Sequence, residues 1–188
     1  TVTRMLAERF GVNHYSTDAA LTVHTERLGA SEAPLLERLR SMSPDERWVQ
    51  RDPTTMYATF PWFHGEGFDL IVEDLQAMPR DRPLLVEGFR LIPHLVAPHL
   101  SNPKHAVWLV PTPEFRRAAF SGRRGADAFW LQTSDPDRAL SNLLDRDRIF
   151  SDEIVRDAFE SHLEVLLVDG SQTVEIMVIE LASHFGFA

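Results

Sequence analysis

The chain has 188 residues, 44% of them hydrophobic and 25% charged, with a net charge of −9 and no cysteine. That length and balance suit one compact α/β or α+β domain, the acidity argues against a general nucleic-acid binder, and the missing cysteines exclude disulfides and thiolate metal sites. No apolar run approaches ~18 residues and no basic-then-apolar leader opens the chain, so a soluble cytoplasmic protein without a membrane partner is expected.

The opening segment TVTRMLAERFG has Val2, Met5, Leu6 and Phe10 at helical spacing, with Gly11 to close the helix. A short strand, VNHYS, follows. TDAALTVHTERLG then resumes helical spacing, with Thr17 or Asp18 as its cap. From Ser31 to Met78 the pattern is mainly helical, broken at Pro34, Pro44, Pro53 and Pro61, and its last helix runs from Phe68 to Met78. The aromatic cluster Tyr57, Phe60, Trp62, Phe63 and Phe68 reads first as core. PWFHGEGF, however, breaks periodicity and carries two glycines, which also suits a loop facing a substrate.

The second half alternates. PLLVEG, HAVWLVPT and EVLLVDGS are apolar runs of strand length, separated by helical stretches at Glu114–Phe120, Pro136–Phe159 and Thr173–Phe185. Continuous apolar strands alternating with helices predict parallel pairing under cover on both faces, hence a three-layer, mostly parallel α/β sheet. Ligands of such sheets bind at the carboxyl ends of the strands. Glu87 stands at one such end, and Asp169 at another.

Glu87 could hold a metal's water shell or position a hydroxyl, or it could simply cap its turn or pair with Arg90. Gly88 permits a sharp bend or close approach. Asp18, after Ser16 and Thr17 and before a helical pattern, reads by itself as a helix cap. Eighteen arginines stand against one lysine, Lys104. They include Arg116 with Arg117, Arg123 with Arg124, and Arg146 with Arg148; a guanidinium near a transferring phosphoryl stabilises its spreading charge. Arg146 sits between Asp145 and Asp147, so an ion pair on its own helix is its plain alternative. Arg90 is a candidate for a substrate anion. The eight histidines form no H-x-x-x-H or H-E-x-x-H pattern, and G-x-S-x-G is absent, so zinc-protease and serine-hydrolase chemistry lack support.

In order, these pieces resemble the P-loop small-molecule kinases, the group with shikimate, gluconate and cytidylate kinases. TVTRMLAERFG is similar to the helix after their phosphate loop, HYSTDAA to the second strand, LLVEGFRLIP to the third, and AVWLVPTPEFRRAAFSGRRG to the fourth strand and lid. LLDRDRIFSDEIVRDA resembles the post-lid helix, and VDGS the turn beneath the adenine. The resemblance implies a P-loop NTPase fold over residues 1–188, with a lid at 115–135, that uses ATP and Mg²⁺ to phosphorylate a small hydroxylated metabolite. It implies catalytic roles for Asp18, Glu87 (also the metal, through water), Arg123 and Arg124. Thr1, Arg116, Gly170 and Ser171 would meet the nucleotide, and Arg90, Arg146, Phe63 and His64 the acceptor. The motif G-x-x-x-x-G-K-[ST] is absent. By this alignment the loop and the first strand would precede Thr1. The other reading is a non-catalytic nucleotide-binding or regulatory module on the same scaffold.

Overall fold

A computed structural model of the chain describes residues 2–187. Thr1, expected at the nucleotide, lies outside them. Helix α1 (Val2–Phe10) ends at Gly11, whose φ of 63° is the left-handed turn that glycine supplies without strain. Strand β1 (Asn13–Ser16) leads into a turn and then α2 (Leu21–Arg27). The expected cap from Thr17 or Asp18 is not formed. Ala20 takes the cap position with no side-chain bond.

The four prolines that break the next segment each stand in the first turn of an element: α3 (Pro34–Ser41), α4 (Pro44–Trp48), α5 (Pro53–Ala58) and a 3-10 turn at Pro61–His64. That position lacks an intrahelical acceptor anyway, so the missing N–H costs nothing there. Ser43 and Glu46 close a reciprocal capping box on α4, and Asp52 caps α5 through the Thr55 N–H. There follow α6 (Phe68–Ala77), β2 (Leu84–Glu87), the short α7 (Pro93–Val96), β3 (Val107–Pro111) and α8 (Pro113–Ser121). A 3-10 segment, Gly125–Gln132, precedes the long α9 (Pro136–Glu160), β4 (Glu164–Val168) and α10 (Val174–His184).

All the pairing is parallel. β1 runs beside β2 with Ser16 opposite Glu87, and β3 beside β4 with Pro111 opposite Val168. The single sheet predicted from the alternation is instead two two-stranded sheets, and among the described residues β2 does not pair with β3. Apolar runs mark which segments are strands; they do not say which edges meet. One helical layer nonetheless serves both pairs. Leu6 and Ala7 of α1 and Val178, Leu181 and Ala182 of α10 pack with Leu85 of β2, and Val107 of β3 and Leu166 of β4 join them. The opposite face of β3–β4 places Trp108, Val110 and Val165 against Phe150 and Ile154 of α9.

The amino-terminal half of α9 forms another core. Ala139, Leu143 and Leu144 meet Val49, Phe120, Ala128 and Trp130. Burying side chains of this size stabilises by roughly 1.5–3 kcal/mol each. Within the expected lid, residues 121–125 are exposed while Ala128 and Trp130 are buried, so the far side of that segment is anchored to the body. No helix of the described residues is long and apolar enough to cross a membrane.

Candidate functional site

Parallel pairing of β1 and β2 brings their carboxyl ends out together, and the Thr17 N–H continues the ladder to the Glu87 carbonyl at 2.8 Å. The turn after β1 and the loop after β2 are therefore pressed against each other. Gly88 is required at the contact: its φ is 134°, and a Cβ there would lie 1.8 Å from Thr17 Oγ1 and 2.8 Å from Asp18 Oδ1.

Asp18 and Glu87 thus meet at one rim. Asp18 is exposed as a residue, yet partial loss of solvent at its carboxyl, and then the charge of Glu87, raise it above its ordinary value of 3.8. The Phe89 N–H, the Thr17 hydroxyl and the charge of Arg90 oppose that rise and are outweighed. Glu87 lies 3.6 Å from His14 Nε2. The two carboxylates feel each other's charge at this rim.

Arg90 lies behind them, only 2% exposed. Its Nη2 donates to the Thr17 carbonyl at 2.6 Å and to His24 Nδ1 at 3.0 Å, and its guanidinium sits 5.5 Å from the Trp62 ring. His24 is fully buried. Its Nε2 reaches Asp74 Oδ2 at 2.8 Å, and the Tyr15 hydroxyl donates to the same oxygen at 2.6 Å. Burial and the Asp74 carboxylate push the Tyr15 phenol up. Burial also works to raise Asp74, but the bonds from Tyr15 and His24 and the charge of Arg27 win and lower it. Sequence reasoning missed Tyr15, His24 and Asp74: Asp74 is 59 residues from Tyr15 and 50 from His24, so no motif spacing could announce the group.

Arg146, the other expected anion binder, occupies a different setting. It is 6% exposed, and its Nε and Nη2 both donate to Asp147 Oδ1, at 2.9 and 2.6 Å. Its guanidinium lies 4.5 Å from the Phe60 ring centroid and 5.2 Å from that of Phe63. Arg116, expected at the nucleotide, reaches Asp147 Oδ2 at 3.0 Å and Ser151 at 2.8 Å, so it ties α8 to α9. Phe63 is buried and stacked on Phe150, ring centroids 3.8 Å apart. That contact makes it a core residue. His64 is exposed and bonds the Tyr57 carbonyl at 3.0 Å.

The lid arginines turn back on their own helix end. Arg123 covers the Phe120 ring at 4.0 Å, and Arg124 donates to the carbonyls of Ser121 and Arg123 at 2.9 and 2.7 Å. Neither bonds Asp18 or Glu87 among the described residues. Gly170 and Ser171 form the turn after β4, where Asp169 Oδ1 accepts from the Ser171 N–H and hydroxyl at 2.8 and 2.6 Å. They border a cavity of about 150 Å³ where Leu109, Leu166, Met177 and Leu181 meet the polar groups of Asp169, Gln172 and Glu180. A wider depression of about 350 Å³ at Met5, Glu8, Arg9, Glu175 and Val178 shares no residue with the carboxylate rim.

Asp18 and Glu87 fit a hydrated Mg²⁺, which binds through few carboxylates and keeps its waters. Among the described residues, no group of three or more His, Asp or Glu could hold a metal directly. A glycine-rich loop with its lysine is not among them either, so they supply no grip on a triphosphate. No family model, curated protein or solved structure matches the chain.

Proposed function

We propose that the chain is a kinase-like α/β domain of the P-loop class that moves the γ-phosphoryl of ATP, with Mg²⁺, to a small hydroxylated metabolite. The observation that carries this reading is the convergence of Asp18, Glu87 and the Arg90 loop at the carboxyl ends of one parallel strand pair. Phosphoryl transfer asks little covalent chemistry of a protein; positioning and charge stabilisation supply most of the rate. Asp18 orients the acceptor hydroxyl, and its raised carboxyl suits a group that exchanges a proton. Glu87 serves the metal's water shell, Arg90 the acceptor side, and Gly170 and Ser171 the nucleotide base, while Arg146, bonded to Asp147, is left to the fold.

The strand edges support the same reading. β2 and β3 pack on a common helical layer, and each keeps an edge without a partner among the described residues. Unpaired parallel edges are unfavourable where helices cover the faces.

Calorimetry of the full-length protein with ATP and Mg²⁺ tests the proposal; absence of ATP and GTP binding would defeat it. Asp18→Asn is expected to abolish transfer while nucleotide affinity is retained. The inward ties of Arg116 and the folded-back Arg123 and Arg124 favour the second reading, a nucleotide-binding or regulatory module without turnover. ATP binding with no ADP release across a panel of hydroxylated acceptors would select it.

A further inference from the structure

Arg90 is a buried cation without a carboxylate in direct contact: among the described residues no acidic oxygen lies within ion-pair distance of it. An imidazole stands between it and Asp74 instead, and the donors and acceptors leave that ring a single state. Arginine can only donate, so His24 Nδ1 must accept from Nη2. An ionised Asp74 can only accept, so His24 Nε2 must carry the proton it shares with Oδ2. Protonation of Nδ1 would set an N–H against an N–H and a cation against a cation.

The groups facing this chain of bonds come from four sides: Tyr15 and Asp18 around β1, Glu87 at the tip of β2, Arg27 on α2 and Asp74 on α6. A direct Asp74–Arg90 contact would have cancelled the guanidinium charge. The neutral spacer fixes the arginine's position without pairing its charge. Its other fixed contact is the Thr17 carbonyl, which belongs to the peptide entering Asp18.

We propose that His24 is a positioning residue: an imidazole with its proton on Nε2, oriented by Asp74 and Tyr15, that holds the Arg90 guanidinium on the Thr17 carbonyl behind the rim. Its test needs neither nucleotide nor acceptor. Failure of ATP binding and failure of this inference are therefore separate results.

The experiment is NMR of the full-length protein near neutral pH. Long-range ¹H–¹⁵N correlation reads the His24 tautomer, and solvent exchange of the Arg90 side-chain N–H groups is followed in wild type, His24→Leu and His24→Gln. The Nε2–H tautomer is expected, with slow Arg90 exchange. His24→Leu is expected to speed that exchange roughly tenfold, because Nη2 loses one of its two acceptors. His24→Gln, whose amide can donate to Asp74 and accept from Arg90, is expected to bring it back to within about twofold of wild type. A packing role alone predicts no rescue by Gln. If His24→Leu does not fold, the tautomer and the Gln exchange rate decide. A proton on Nδ1, or Arg90 exchange in His24→Gln more than about twofold faster than wild type, overturns the proposal. So does exchange unchanged in a folded Leu variant.

Discussion

Arg90 and Arg146 are both more than nine-tenths buried, and both lie beside aromatic rings. They differ in what cancels their charge. Arg146 sits on Asp147, which Arg116 approaches from the other side, so a carboxylate is shared between two guanidinium groups and clamps α8 to α9. Arg90 has an imidazole where that carboxylate would be, and its oxygen partner is the Thr17 carbonyl next to Asp18. One site is closed electrostatically and holds the fold. The other is left open at the rim where chemistry is proposed. A buried arginine is thus not one kind of signal; the identity of its nearest acceptor tells a strut from a site.

The largest effect is expected from Asp147→Ala. It strips the partner from two guanidinium groups, one of them buried, and should destabilise by about 3–5 kcal/mol in denaturant unfolding. A small loss would mean that Arg146 is not held by its charge pair. Gly88→Ala comes next. The close approach to Thr17 and the positive φ together should cost about 2 kcal/mol by thermal or chemical unfolding. Arg90→Met is expected to cost only about 1 kcal/mol, because removing an unpaired buried charge offsets much of the lost hydrogen bonding. A cost matching that of Asp147→Ala would erase the distinction between the two arginines.

The smallest effect is a pH dependence. The folded-state value of Asp18 lies above its ordinary 3.8, so the native state holds that proton more tightly. Its favourable contribution is complete below the ordinary value and declines as pH rises through the folded one. Asp18→Asn should therefore flatten that slope and stabilise the protein at neutral pH by a few tenths of a kcal/mol, the exposure of the residue keeping the effect small. Asp74 is lowered on folding and works in the opposite sense: its contribution is present above 3.8 and is lost as pH falls through the folded value. Unfolding curves of wild type and Asp18→Asn from pH 4 to 8 separate the two.

Of the candidate site, Asp18, Glu87, Gly88 and Arg90 were legible because each stands beside the end of a strand that apolar patterning reveals. Arg116 was expected at the nucleotide and Phe63 at the acceptor, but the direction of neither side chain was visible. Arg116 turns toward Asp147 and Phe63 toward Phe150, partners supplied by α9 far along the chain. Tyr15, His24 and Asp74 carried no signal, because a hydrogen bond across 50 residues leaves no local pattern.

The sequence alone determined the four strands, most of the helices and the proline-started turns, since periodicity, capping residues and fixed proline φ act within a few residues. It determined, too, that carboxylates would stand at two strand tips. Only the tertiary structure decided which strand edges paired, and which buried arginine met a carboxylate and which an imidazole. Those outcomes depend on distances between segments far apart in the chain, and a local preference is blind to them.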